Sequence, residues 1–405
     1  MNKLTLDDIK GLEERHIVQT YKRQPVAFVR GSGSRLYDVD GREYLDLISG
    51  IGVVSLGHGH PALAQAIADQ AATLIHTSNL FHHPLQAELA QRLSDLSGLP
   101  RAFFCNSGAE AVEACLKFAR RYWRSAGGPE RTKFVALQHS FHGRTMGALS
   151  VTWDEHYRAP FAPLLNGVTF VDANDAAAVA AAITGDTAAV IVEPIQGEGG
   201  VRPLPRATAQ AIANACSSTG ALLIADEVQC GLGRTGRPFH APTLGLRPDL
   251  VALGKALGAG VPIGAALMSE KVAAAVQPGD HGSTYGGNLL ACRAAIVFVD
   301  ELVNGGLMQH VGRVGAHLEA GLRAIASRRP AVKDVRGAGV MWGIELDRPA
   351  APVVQAAMER KLLINRTSDT VIRLLPPFVI SEREIDEALP LLEAAIEVAT
   401  EAQGK

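Results

Sequence analysis

Apolar residues recur in two periods along the chain. Between residues 102 and 268, short unbroken apolar runs appear at Ala102–Cys105, Phe134–Leu137, Val168–Val171, Ala188–Val192, Leu222–Ala225, Leu250–Leu253 and Ile263–Met268. Runs of this length, bounded by turn residues, predict buried strands. Helical spacing fills several of the gaps, for example at Ala109–Trp123 and Ala207–Ser218, and the alanine run at 176–182 reads as a helix. Seven strands with helices between them predict an α/β fold around a largely parallel sheet. Upstream, Ala27–Val29, Arg35–Asp38 and Tyr44–Leu47 are punctuated by GSGS and DVDG, which predicts a small hairpin region within residues 1–60. Helices are expected next at Pro61–Leu74 and Pro84–Leu96. Downstream, one long helical stretch at about Asn288–Ser327 leads to a new unit. That unit has strands near Val340–Leu346 and Val371–Leu374 and a terminal helix near Glu382–Ala402. The expected division is 1–60, 61–310 and 311–405, with no internal repeat and no low-complexity linker.

Composition narrows the class of protein. A chain of 405 residues exceeds one compact core and suits two or three domains. A hydrophobic content of 47% with 20% charge is that of a soluble globular protein. The net charge of −2 argues against a general nucleic-acid or membrane surface. Five scattered cysteines with no CxxC pairing argue against structural zinc and a disulfide framework, and a reducing compartment follows. The opening MNKLTLDDIKGLEERH is too charged for a signal peptide, and no apolar run approaches spanning length. A cytoplasmic protein is expected.

The chemistry concentrates between Ala221 and Gly264. Two apolar runs there each end on charged groups: Ala221–Ala225 on Asp226 and Glu227, and Leu250–Leu253 on Gly254 and Lys255. A charge directly after a buried strand lies at its carboxyl end, where open α/β sheets place ligands. A buried carboxylate and a buried lysine are costly unless each has a partner. A nitrogen heterocycle carrying an aldehyde supplies both: Asp226 would keep a pyridine nitrogen protonated, and Lys255 would form a Schiff base. That pattern points to pyridoxal phosphate. An Asp–Lys ion pair that only supports a core is the alternative. Gly231-Leu-Gly233-Arg-Thr-Gly236 matches a dinucleotide fingerprint, but Pro238 and Pro242 would break the helix it must open. Gly254-Lys255 lacks the hydroxyl of a phosphate-binding loop, since Ala256 follows.

Further candidates sit at other strand ends. Ser107 is a good N-cap, and the amides of Gly108 and Ala109 could hold an anion; alone this is an ordinary capping sequence. Phe141 can stack on a flat cofactor, and Arg144 can hold a carboxylate with a bidentate fork. His139-x-x-His142, with His58, His60, His82 and His83, invites a metal reading, but no helix-borne carboxylate completes a zinc site, so no metal is expected. Glu198 lies in a glycine-rich loop, where a solvated acid would be unremarkable. Ser283 and Thr284 belong to a hydroxyl-rich turn able to meet phosphate oxygens. Arg373, alone in an apolar strand, is either paired with an acid or awaiting an anionic ligand.

Together these stretches resemble the class III (ω-amino) aminotransferases, pyridoxal-phosphate enzymes of fold type I. The resemblance rests on SLGHGHP (55–61), HTSNLF (76–81), FFCNSGAEA (103–111), FHGRT (141–145), DEVQCGLGRTG (226–236) and GSTYGGN (282–288), in order over nearly the whole chain. It implies a large cofactor-binding domain over 61–310 and a smaller α+β domain from both termini. It also implies Lys255 as the Schiff-base lysine, Asp226 on the pyridine nitrogen, Gln229 on the ring's phenolic oxygen and Phe141 on the ring face. Ser107, Gly108 and Ala109 would hold the phosphate, and Thr284 would reach the phosphate of a neighbouring subunit in a homodimer. Arg144, Ser283, Glu198 and Arg373 would serve the amino-acid and 2-oxo-acid substrates. Within the class the likeness is greatest to acetylornithine-type enzymes, with succinylornithine, ornithine or 4-aminobutyrate transamination and an aminomutase as alternatives. Two residues depart from the family pattern: Leu289, where relatives commonly have proline, and His82, where acetylornithine-type enzymes often have tyrosine.

Overall fold

All seven apolar runs become strands of one sheet. In the computed structural model, which describes residues 4–401, their order is Arg101–Cys105, Gly264–Met268, Leu250–Leu253, Leu222–Asp226, Thr187–Val192, Lys133–Leu137 and Val168–Val171. Leu222–Asp226 runs parallel to both its neighbours, as does Lys133–Leu137. Gly264–Met268 alone is antiparallel to the strands beside it. Thr187–Val192, Leu222–Asp226, Leu250–Leu253 and Gly264–Met268 are buried at every position. Strands covered on both faces read as continuous apolar runs, which is why the pattern was visible. The helix Gly108–Ser125 packs on this sheet through Ala111, Val112, Ala114, Cys115 and Phe118.

Outside the sheet the structure departs from the pattern at several points. The long stretch expected at Asn288–Ser327 is two helices, Leu289–Val303 and Leu307–Arg328. The break is Asn304-Gly305-Gly306, and Gly306 takes φ 74°, a left-handed value that a glycine adopts without strain. The N-terminal hairpin strands Phe28–Ser32, Arg35–Asp38 and Glu43–Asp46 are preceded by an unexpected helix, Leu6–His16, which buries none of its residues. A strand at Val332–Ala338 was also not expected. Leu289 is the first residue of its helix, after the N-cap Asn288, a position where proline and leucine are both tolerated.

The N-terminal hairpin region meets the C-terminal unit. Glu43–Asp46 pairs in parallel with Leu362–Leu363. A second, antiparallel sheet runs in the order Val332–Ala338, Met341–Leu346, Val371–Leu374, Asn365–Arg366. In its register Arg336 stands opposite Gly343, and Gly343 stands opposite Arg373. The last helix spans Glu382–Glu401; Ala402, where it was expected to end, lies outside the described residues. Among the described residues no helix is long and apolar enough to cross a membrane.

Candidate active site

Two neighbouring strands deliver the central pair. Asp226 is the last residue of Leu222–Asp226, and Lys255 follows Leu250–Leu253 after one glycine. Both line a pocket of about 270 Å³ together with Gly108, Ala109, Phe141, Arg144, Glu198 and Gln229. Ser107 caps the helix that begins at Gly108, its hydroxyl accepting from the Glu110 amide at 3.2 Å. A larger residue at Gly108 would force a neighbour to shift, because a Cβ there would lie 2.6 Å from Val228 Cγ1. A Cβ on Gly254 would fall 2.9 Å from the Gly108 nitrogen and Cα. The lysine turn and the helix N-terminus therefore touch main chain to main chain.

Burial pushes the Lys255 amine below the ordinary lysine range; Glu198 opposes the shift, Arg373 adds to it, and Asp226 and Glu193 oppose it. A desolvated lysine is more often neutral, which suits a nucleophile and a base. Trapping of Lys255 by an added aldehyde, followed by borohydride reduction and mass spectrometry, should weaken on the acid side as the amine protonates. Glu198→Gln removes a group that holds the proton on, so the acid limb should move to lower pH. Arg373→Ala should move it to higher pH, and shifts in the reverse order would refute the electrostatic account.

Asp226 is 4% exposed, with Oδ2 2.7 Å from His142 Nδ1 and Oδ1 accepting from the Val228 amide at 3.1 Å. The His142 amide donates to Thr152 Oγ1 at 2.9 Å, which fixes the residue from its backbone. His139 and His142, which invite a metal reading by spacing, are separated. His139 takes φ 65° and meets Trp153 edge-on, whereas His142 supports Asp226. Gly143, at φ 128°, lets the Phe141–Arg144 loop cross the helix start, since a Cβ there would lie 2.8 Å from Ala109 Cβ. The exposed Arg144 guanidinium stacks 3.4 Å from the Tyr157 ring centroid. Glu193, not singled out from sequence, joins two loops: its oxygens accept from the Phe141 and Gly197 amides, both at 2.9 Å. Burial pushes its carboxyl up to about 7.

Arg373 is fully buried and paired. Its Nη1 donates to Glu198 Oε1 at 2.5 Å and to Gln229 Oε1 at 3.1 Å, and Nε reaches Asn365 Oδ1 at 3.4 Å. Burial would push the Glu198 carboxyl up, but Arg373 and then Lys255 hold it below its usual value. An unpaired charge at the depth of Arg373 would be strongly unfavourable, so a movable carboxylate is a fitting partner.

Ser283 and Thr284 are not brought to this pocket by their own chain. Ser283 lines a separate cavity of about 490 Å³ with His82, His83, Phe103 and His281. Its hydroxyl accepts from Asn106 Nδ2 at 3.2 Å and from the Gly286 amide at 3.0 Å, closing the turn before Leu289–Val303. The expected substrate contact of Ser283 is therefore not made within one chain. Thr284 is exposed beside Tyr285, which is 62% exposed.

The groups around Lys255 match pyridoxal phosphate in kind. An amine pushed below the ordinary lysine range suits an aldehyde, a buried carboxylate suits a pyridinium, and first-turn amides beside glycines suit a phosphate. Comparisons with known proteins agree. A family model described as Aminotransferase class-III matches residues 17–396. The acetylornithine aminotransferase of Archaeoglobus fulgidus is 47% identical over 380 residues, covering 94% of this chain and 98% of that protein. An ornithine aminotransferase structure from Toxoplasma gondii superposes with a TM-score of 0.95 at 33% identity, covering 100% of this chain and 97% of that one. A pyridoxal-phosphate-bound amine transaminase from an uncultivated Pseudomonas species gives 0.88 at 30% identity, covering 95% and 97%.

Proposed function

The chain belongs to the class III aminotransferases, and from that premise we propose how its residues divide the reaction. The cofactor is pyridoxal 5'-phosphate, and the reaction moves the δ-amino group of N2-acetyl-L-ornithine to 2-oxoglutarate. The products are N-acetyl-L-glutamate 5-semialdehyde and L-glutamate. When bound, the cofactor supplies an aldehyde for the amine and an electron sink for the breaking bond. Lys255 Nζ accepts the proton that leaves the substrate δ-carbon. Asp226, oriented by His142, would hold the pyridine nitrogen protonated, while Ser107, Gly108 and Ala109 would hold the phosphate. Gln229 would meet the ring oxygen and Phe141 would cover one face.

The observation that carries the division of roles is the Glu198–Arg373 pair. Acetylornithine presents its δ-amine and glutamate its α-amine, so their carboxylates fall at different distances from Lys255. Arg144 serves the α-carboxylate of acetylornithine and the distal carboxylate of glutamate. Arg373 serves the carboxylate beside glutamate's reacting carbon, and Glu198 neutralises it when acetylornithine is bound. Losing a charge-assisted hydrogen bond costs about 1.5–3 kcal/mol, or roughly ten- to a hundredfold in rate. Arg373→Ala should therefore slow mainly the glutamate half-reaction, and Arg144→Ala both. Single-turnover rates with each amino donor test this; equal losses in both halves for Arg373→Ala would refute the arrangement.

The same reading makes the enzyme a homodimer with shared sites, in a reducing cytoplasm suited to its five unbridged cysteines. Its support is the exposed Thr284, with Leu80 at 85%, Phe81 at 67% and Tyr285 at 62% exposure in neighbouring segments. Mixing Lys255→Ala subunits with Thr284→Ala subunits should restore activity, because a hybrid dimer holds one site free of both lesions. No recovery after proven subunit exchange would exclude the shared site.

A further inference from the structure

The loop carrying Glu198 is gripped at three successive carbonyls. Arg202 Nε donates to Gly199 O at 2.8 Å. Arg336 donates to Gly200 O through Nη2 at 2.8 Å and Nε at 3.0 Å, and Nε also reaches Val201 O at 3.1 Å. Arg336 is itself held by Asp334, at 2.9 Å, and by Glu345. The upstream end is equally tied: Gln196 Nε2 donates to Gln138 O at 2.8 Å, and the Gly197 amide donates to Glu193.

The second sheet sets the spacing. Arg336, Gly343 and Arg373 form one cross-strand row, and residues directly opposite on antiparallel strands share a face. Two guanidinium groups thus rise from one face with no side chain between them. The loop fills that gap: a Cβ on Gly343 would lie 2.8 Å from Val201 Cβ and 3.2 Å from Gly200 O. Glu198 therefore rests on one arginine of the row while Gly200 and Val201 are pinned to the other.

We propose that Arg336 is a positioning residue for substrate choice. By pinning the loop behind Glu198, it lets the carboxylate leave Arg373 and return to the same place. This rests on the Glu198–Arg373 reading given above. Without the pin, the local concentration of the Glu198 carboxylate at Arg373 falls, in the manner of a loosened tether. Acetylornithine turnover, which needs Arg373 neutralised, suffers; the glutamate half-reaction, which needs Arg373 free, is spared.

The test is the ratio of the two single-turnover rates in one holoenzyme preparation, from which the active fraction cancels. Arg336→Ala should lower the acetylornithine-to-glutamate ratio about tenfold. Arg336→Lys should give a smaller shift, because an ammonium keeps the charge but cannot fork between carbonyls, and it carries the test should the alanine variant not fold. Hydrogen exchange over residues 195–203 should accelerate in the same variants. In a Glu198→Ala background, Arg336→Ala should change the ratio no further. An unchanged ratio or unchanged exchange in the Arg336 variants, or an additive shift in the double variant, would overturn the proposal. If Glu198→Ala alone leaves the ratio unchanged, the Glu198–Arg373 reading fails and this inference falls with it.

Discussion

Lys255→Ala is expected to abolish turnover, by several orders of magnitude, while the protein still folds and takes up cofactor. In the proposed reaction the residue has two tasks, as nucleophile and as proton carrier, and general acid–base catalysis alone is worth roughly 10²–10⁴-fold. Removing the amine should not damage the site, because the lysine turn is set by Gly254 against Gly108 and not by the side chain. Borohydride reduction followed by peptide mass analysis gives a second readout: wild type should carry pyridoxyl on Lys255, and the variant should carry none. Activity within tenfold of wild type, or pyridoxyl on another lysine, would remove Lys255 from its role.

Asp226→Ala ranks next. It removes the carboxylate proposed to face the pyridine nitrogen, and losing one preorganised electrostatic group costs roughly 10²–10³-fold in kcat. It also strands His142 Nδ1, which adds a stability loss of about 1–3 kcal/mol. Asp226→Asn separates the two effects. It can keep a hydrogen bond to His142 and most of the stability while losing the charge, so the melting temperature should recover and kcat should not. A full recovery of kcat in Asp226→Asn would make Asp226 a structural residue only.

Much of this was legible in the chain because its signals were local. A strand buried on both faces needs apolar residues at every position, and Leu250–Leu253 reads so. The strand Val332–Ala338 did not, because Lys333 and Asp334 face solvent and interrupt the run. The helix Leu6–His16 buries nothing in this chain, and its stripe is only three residues wide, Leu6, Ile9 and Leu12, although Thr5 and Asp8 form a capping box. In the site, residues at strand ends are singled out by the sequence alone: Asp226 and Lys255 line one pocket, and Ser107 caps the helix that borders it. Those missed act across long sequence separations. His142 meets Asp226 84 residues away, Glu193 braces Phe141 from 52 residues away, and Arg336 holds Gly200 from 136 residues away. Nothing in their neighbours announces such contacts. Ser283 shows the converse, a motif residue whose hydroxyl its own chain spends on a turn. The Asn304-Gly305-Gly306 break was present in the sequence as a turn signal and was overridden by helical spacing on both sides.

The contact between Gly254 and Gly108 has a bearing on how such a scaffold can diversify. The span from Lys255 to the first turn of the Gly108–Ser125 helix is a length written in peptide units, because Gly254 and Gly108 meet main chain to main chain. Neighbouring loops can change residue by residue, and with them the molecule that is chosen, while the ruler on which the chemistry is mounted keeps its calibration. A mutation of Gly254 alters that length in a single step, since the smallest possible addition there already collides with main-chain atoms of Gly108 at 2.9 Å.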